Sequence, residues 1–205
     1  MHLNTLPIQT IHLLKQIKNK KFLQSFYLTD GTALSLQLGH RESEDLDFFS
    51  QKSFNPLQLQ QKLEKIGSLK EVEINKDTLN LFIKKVKLQF LYYPYKLLEQ
   101  PLEWQTLKIS SLIDIACTKL LTISSRGAKK DFIDLYFLLE KYSLETLFKK
   151  MAEKYKGIDY NQTHILKSLV YFNDAENQPS PRMHLDISWP AVKKGIINQI
   201  KSFKI

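Results

Sequence analysis

Asp45 and Asp47 are two carboxylates separated by one residue in the run Ser43-Glu44-Asp45-Leu46-Asp47-Phe48-Phe49-Ser50. In a strand, a spacing of two sends both carboxylates to one face while Leu46 and Phe48 turn to the core. Adjacent hard oxygen ligands suit Mg²⁺, which takes one or two protein carboxylates and completes its shell with water and substrate phosphates. A second feature lies just upstream, in Asp30-Gly31-Thr32-Ala33-Leu34-Ser35-Leu36-Gln37-Leu38-Gly39. Gly31 can bring backbone close to a ligand, Thr32 opens an apolar run at helical spacing, and Gly39 can close that helix in the left-handed conformation. The first N–H groups of such a helix attract phosphate. Together the two features suit a nucleoside triphosphate, with Gly31 and Thr32 at the phosphates and Asp45 and Asp47 on Mg²⁺. An isolated Asp-x-Asp says little by itself, because exposed acidic pairs occur throughout ordinary proteins.

The elements that must position these groups follow from periodicity. Ile8, Ile11, Leu14 and Ile17 behind Pro7 predict a helix that covers a sheet. Phe26 to Thr29 reads as a short buried strand feeding the Gly31 turn, and Asp45 to Phe49 as the strand beside it. Asn55-Pro56 predicts a capped helix running to Gly67. From Leu69 to Tyr93, period-two alternation through Val72, Ile74, Leu79, Leu81, Ile83, Val86, Leu88 and Phe90 predicts strands, with a turn at Asn75-Lys76-Asp77. A short strand is expected around Leu107 and Ile109. Beyond it Ser111 and Asp114 form a capping box, and helices are expected from there on, among them one through Phe132 to Leu139, Leu144 to Met151, Ile165 to Phe172 and Val192 to Phe203. The expectation is an α+β fold: a mixed sheet flanked by helices over residues 1–110, with a helical part over 111–205 packed on it.

A chain of 205 residues with 43% hydrophobic content can bury a sizeable core. The net charge of +9 and isoelectric point near 9.4 favour an anionic partner such as RNA or a nucleotide, although a solvated lysine-rich surface accounts for charge equally well. A single cysteine, Cys117, excludes an intrachain disulfide and fits a reducing cytoplasm. The first residues lack the charged start and apolar core of a signal peptide, and no apolar run is long enough to span a membrane. The histidines show none of the close pairings of a zinc site.

The run Asp30-Gly31-Thr32-Ala33-Leu34, followed by His40-Arg41-Glu42-Ser43-Glu44-Asp45-Leu46-Asp47-Phe48, resembles the AbiEii/AbiGii abortive-infection nucleotidyltransferase toxins, a branch of the DNA polymerase β-like nucleotidyltransferases. Their motif runs Gly-Gly-Thr-Ala-Leu, then His-Arg-x-Ser-x-Asp-x-Asp-Phe. Asp114-Ile115-Ala116-Cys117-Thr118-Lys119-Leu120 and Lys130-Asp131-Phe132-Ile133-Asp134-Leu135-Tyr136 resemble the later motifs in order and spacing, so the likeness spans roughly residues 25 to 142. It implies a Mg²⁺-dependent transfer of a nucleotidyl group from an NTP to an acceptor, RNA with tRNA among the candidates, by the toxin of a bacterial toxin–antitoxin or phage-defence pair with an antitoxin partner. It further implies site roles for Lys119 on the leaving pyrophosphate, for Asp131, and for Arg41 and Ser43 at the aspartates or substrate. Without the likeness, Lys119 reads as a solvated helix lysine and Asp131 as an acid favoured by the helix dipole. Arg126, Gly127 and Lys129 read as a basic loop between two helices that could touch phosphate, although exposed loop lysines usually need no function.

Two residues depart from the pattern. Asp30 replaces the first glycine, where it is expected to cap the Thr32 helix and repel a triphosphate. Gln89 falls where related nucleotidyltransferases carry a third carboxylate on a neighbouring strand, so a one-metal site, a base supplied elsewhere, or a silent nucleotide- or partner-binding member remains open.

Overall fold

A computed structural model describes residues 1–203. Its first elements are α1 (Ile8–Ile17), β1 (Tyr27–Thr29), α2 (Asp30–Leu38), β2 (Leu46–Ser50), α3 (Pro56–Glu64), β3 (Leu69–Asn75), β4 (Thr78–Ile83), β5 (Val86–Tyr92), β6 (Leu102–Trp104) and β7 (Leu107–Ile109). The strands form one sheet in the order β3-β4-β5-β2-β1-β7-β6. It is mixed, because β2 runs parallel to β5 and β1 parallel to β7, while the other pairings are antiparallel. After the sheet come α4 (Leu112–Arg126), α5 (Lys129–Leu139), α6 (Leu144–Lys154), α7 (Gln162–Ser168), α8 (Asn173–Glu176) and α9 (Trp189–Ser202). No helix among the described residues is long and apolar enough to cross a membrane.

The alternation in the strands decides what lies on each side of the sheet. Leu46, Phe48, Leu79, Leu81, Ile83, Val86, Leu88 and Phe90 are all buried, and α1 and α3 contact this part of the sheet. Their neighbours along each strand, Asp47, Asn80, Phe82, Lys87 and Gln89, point to the other face, because successive strand residues alternate sides. Asn55 caps α3 by accepting from the Gln58 N–H at 3.1 Å, with Pro56 in the first turn. Ser111 likewise accepts from the Asp114 N–H at 3.2 Å, completing the expected box at the start of α4. Cys117 is fully buried in the core.

Several boundaries differ from the sequence reading. Val72 and Ile74 are 38% exposed, because β3 is an edge strand whose register shifts between Lys70 and Glu73, with Glu71 at φ 49. The helix expected over 165–172 ends at Ser168: Ile165 and Leu169 share the buried stripe, but Val170 and Tyr171 lie off it and are exposed. Strand β6 is short, follows Pro101 and carries no alternation over enough residues to be read in advance. The expected division at 110/111 falls between β7 and α4, and residues 204 and 205 of the expected helical part lie outside the described residues. Past that division, the segment around Arg182–Leu185 returns to the turn after α2: Met183 bridges Arg41, and the Glu42 N–H donates to the Arg182 carbonyl at 2.8 Å.

Candidate active site

The turn from β1 into α2 is tighter than a helix cap. Asp30 adopts φ 55, a left-handed conformation that glycine takes freely and aspartate tolerates better than most residues. Its carboxylate does not cap α2, whose start carries no side-chain cap. Instead it forms an ion pair with the Lys119 ammonium on α4, a correction of the expected capping role. Gly31 is required by close approach, since a β-carbon there would meet Arg41 Nη2 at 2.6 Å and Ser43 Oγ at 3.2 Å. The neighbours of Gly31 are thus side chains of the motif itself. Thr32, buried in the first turn, places its hydroxyl 2.8 Å from Ser43 Oγ and donates to the Asp45 carbonyl oxygen, which ties the start of α2 to the start of β2. Gly39 closes α2 at φ 70, as its position predicts.

Behind this turn lies a buried charge cluster. Lys119 Nζ is 2.7 Å from Asp131 Oδ1 and 2.8 Å from Asp134 Oδ2, besides its pair with Asp30. Asp131 and Asp134 stand three apart on α5 and both face it. Arg41 Nε and Nη2 donate to the two oxygens of Asp134 at 2.6 and 2.8 Å, and His40 Nε2 lies 2.8 Å from Asp134 Oδ1. Arg126, the last residue of α4, holds both oxygens of Asp131 at 2.7 and 3.0 Å while 48% of its side chain stays exposed. Ligand oxygens of Asp30, Asp131 and Asp134 lie within 4.8 Å of one another, a spacing a metal could use, but the Lys119 ammonium occupies that space. Burial alone would discharge Lys119, and the facing carboxylates of Asp134, Asp30 and Asp131 outweigh it and hold the lysine charged. Burial likewise pushes Asp134 up, yet Arg41 and Lys119 bring it well below the usual carboxylate range.

Asp47, the second residue of β2, is half-buried, and Asp45 precedes the strand by one residue. The Asp47 carboxyl is pushed up to about 7 by burial first, then by the negative charges of Asp30 and Asp45, against smaller relief from Lys119 and Lys130. Its charge is therefore under-compensated by the protein, in contrast to Asp131 and Asp134. Gln89 of β5 pairs directly with Asp47, so the amide occupies the position read for it. A cavity of ≈ 200 Å³ beside the pair is lined by Arg41, Ser43, Asp45, Lys130 and Arg182 among others.

The structure brings Gly31, Thr32, Ser43 and Asp45 together by contact, and couples Asp47 electrostatically to Asp45, Asp30 and Lys119. Lys119 and Asp131 meet each other, but both are buried, and Arg41 is spent on Asp134. Sequence reasoning missed the Asp30–Lys119 pair, the role of Asp134 as the shared partner of Arg41, His40 and Lys119, and Lys130 beside Asp47. Only the three-residue spacing of Asp131 and Asp134 signalled part of this.

The family model for the nucleotidyl transferase AbiEii toxin of type IV toxin–antitoxin systems matches residues 12–201. An uncharacterised protein of Aquifex aeolicus is 36% identical over 198 residues, covering 93% of each chain. Among solved structures, the nucleotidyltransferase toxin MenT4 of Mycobacterium tuberculosis aligns with TM-score 0.64 at 13% identity, over 96% of this chain and 83% of its own. A candidate nucleotidyltransferase from H. pylori aligns with TM-score 0.59 at 18% identity, over 95% and 94%. At these identities the two structures speak for the fold.

Proposed function

Because the chain belongs to the AbiEii family of nucleotidyltransferase toxins, we propose that it transfers a nucleotidyl group from an NTP to RNA, tRNA included among the acceptors to test, and is held in check by an antitoxin protein. The observation that carries this reading is the Asp47 carboxyl, under-compensated by the protein and one residue from Asp45, with the exposed cations Arg126 and Lys130 on neighbouring helices. The carboxylates suit Mg²⁺, because a pair of hard oxygen donors with excess negative charge gains most from a divalent cation. When bound there, Mg²⁺ would supply charge neutralisation at the reacting phosphate and orientation of the attacking hydroxyl.

The chain's own residues divide the remaining work. Arg126 and Lys130, both exposed, offer positive charge to the phosphates, while the buried Lys119 ties Asp30 to Asp131 and Asp134 and so holds the turn against α4 and α5. Asp131 acts as a positioning residue, since it fixes the guanidinium of Arg126 through both oxygens. Asp134 and Arg41 hold the floor beneath Gly31, and Thr32 with Ser43 fixes the backbone at Asp45. Phosphoryl-type transfer asks mainly for such positioning and electrostatics.

A second reading, a silent nucleotide binder that acts by occupancy, is favoured by Asp30 on Lys119 and by Gln89 beside Asp47. Incubation with each α-labelled NTP, Mg²⁺ and total RNA separates the two. The enzyme labels RNA in a reaction that Asp45→Asn with Asp47→Asn abolishes while the fold persists. NTP binding with no labelled RNA selects the silent binder, and Mg²⁺-dependent NTP affinity unchanged in the double variant moves the site elsewhere.

A further inference from the structure

The face of the sheet opposite α1 and α3 carries a polar row that nothing above explains. Asp47 pairs with Gln89, Gln89 with Asn80, and Asn80 with Glu73, so these side chains cross β2, β5, β4 and β3 on one side. Gln89 makes no side-chain hydrogen bond among the described residues. Among the described residues, Asn80 Oδ1 is buried without a hydrogen-bond partner, and Asn80 Nδ2 reaches only Glu73, at 3.5 Å. A buried amide oxygen is costly to leave unsatisfied, so Asn80, beside the half-buried Gln89 amide and near a candidate metal carboxylate, offers a polar group that a ligand would complete. Phe82, two residues from Asn80 on the same face, is half-buried and pairs with Lys87 and Lys70. Beyond it a groove of ≈ 450 Å³ is lined by Ser68, Lys70, Glu71, Phe82, Lys84 and Lys85, three lysines against one acid.

The arrangement is directional. In the sheet order, Asp47 lies between β5 and β4 on one side and β1, which leads into Asp30 and α2, on the other. The exposed cations suited to a triphosphate, Arg126 and Lys130, belong to α4 and α5 and act on the Asp30 side. In an in-line displacement the attacking oxygen and the leaving pyrophosphate stand on opposite sides of the reacting phosphorus. With the pyrophosphate towards α2, α4 and α5, the acceptor approaches across β5 and β4. Carboxamides present a donor beside an acceptor, which matches the edge of a nucleobase, and a neighbouring ring and lysine groove suit an RNA strand.

We propose that Gln89 and Asn80 read the terminal nucleobase of the RNA acceptor, with the groove of Lys70 and Lys85 taking the adjoining phosphodiester backbone. The acceptor hydroxyl attacks the α-phosphorus of the NTP, the new O–P bond forms as the bond to pyrophosphate breaks, and the hydroxyl proton leaves with solvent. This rests on the transferase reading, and the experiment separates the two. Four RNAs that differ only in the 3′-terminal nucleotide are compared by kcat/KM at saturating NTP, alongside the Kd of each NTP with Mg²⁺. The expected result is a preference of at least about tenfold for one terminal base, reduced below about threefold in both Asn80→Leu and the smaller Asn80→Ser, with NTP affinities unchanged. Lys70→Ala with Lys85→Ala should raise KM for all four RNAs alike and weaken its salt dependence. Equal use of all four ends by the parent, or a preference that survives both Asn80 changes, overturns the proposal. So does a change that appears in NTP choice instead, which would place the incoming base on the amides. NTP binding without modification of any RNA removes the transferase reading and this one with it.

Discussion

Replacing Asp30 tests whether the turn is held closed by its own charge. Asp30→Gly removes a left-handed aspartate at φ 55, which relieves backbone strain of about 1 kcal/mol. It also removes one of the three carboxylates facing Lys119. Breaking a buried pair costs about 3–5 kcal/mol, but Lys119 keeps Asp131 and Asp134 and Asp30 is 22% exposed, so about 1–3 kcal/mol is the expected loss from that pair. The net cost to the unliganded protein is then about 0–2 kcal/mol. The effect on a triphosphate has the opposite sign. A carboxylate about 6 Å from a phosphate charge, at an effective dielectric of about 20, repels it by roughly 2.8 kcal/mol, an upper bound near 100-fold in affinity. We expect NTP affinity with Mg²⁺ to tighten about 10- to 100-fold in Asp30→Gly, measured by calorimetry. Asp30→Asn keeps a residue suited to the left-handed turn and removes only the charge, so it should reproduce most of the gain. Urea unfolding with and without NTP should show the variant less stable alone and recovering more on binding. Unchanged or weaker NTP affinity in both folded variants would refute the reasoning, and would mean that Lys119 and its carboxylates lie outside the phosphate path.

Two further outcomes follow from the charges. Because the folded-state Asp47 carboxyl is raised to about 7 from an unfolded value near 3.9, it favours the fold in its protonated form, and that stability is lost as pH rises from about 4 to 7. Mg²⁺ bound there as proposed displaces this proton, so the apparent Mg²⁺ affinity, followed by calorimetry, should rise up to about tenfold per pH unit below 7 and level off above it, a slope absent in Asp47→Asn. Lys119→Met leaves Asp131 and Asp134 buried with one cation fewer, and should cost about 3–5 kcal/mol in urea unfolding at neutral pH. The lowered Asp134 and Asp131 carboxyls give stability present above about pH 4 and lost as pH falls through their folded values, so the penalty should shrink in acid; an equal penalty at pH 3 and pH 7 would contradict it.

What was legible in the chain was local. Gly39, the Asn55-Pro56 cap and the Ser111 box act within one turn, so residue type and spacing sufficed to place them. The pairing of Asp47 with Gln89 was also within reach, because alternation in β2 and β5 leaves few registers that keep Phe48 and Phe90 buried together. The charge cluster was not. Lys119, Asp131 and Asp134 sit among apolar helix positions and read as helix surface until α4 and α5 are packed on α2, and nothing in the order of residues pairs Asp30 with α4. The return of Arg182 to Glu42 has no periodicity to announce it, since the segment holds its partner by backbone bonds that any residue can make. Val72 and Ile74 misled because period two shows that a strand alternates, and an edge strand can leave its apolar side uncovered.

The two departures from the family pattern become one fact in three dimensions. The resemblance expects glycine at position 30 and a carboxylate at position 89, whereas this chain has a carboxylate at 30 and an amide at 89. In this chain the acid near Asp47 thus stands on the side of Lys119, and the amide stands on the β5 side. Asp30 is the largest charge raising the Asp47 carboxyl, ahead of Asp45, so it still acts on the candidate metal pair through space. What it cannot do from there is take a proton from a hydroxyl arriving over Gln89, because its carboxylate is turned to Lys119 and Arg126. On the proposed reading, Asp30 adds negative charge near the candidate metal pair, and Gln89 offers an amide that can bind an acceptor but not deprotonate it. An acceptor held over β4 and β5 by carboxamides fits that division, with proton transfer left to solvent and rate governed by how well the hydroxyl is placed.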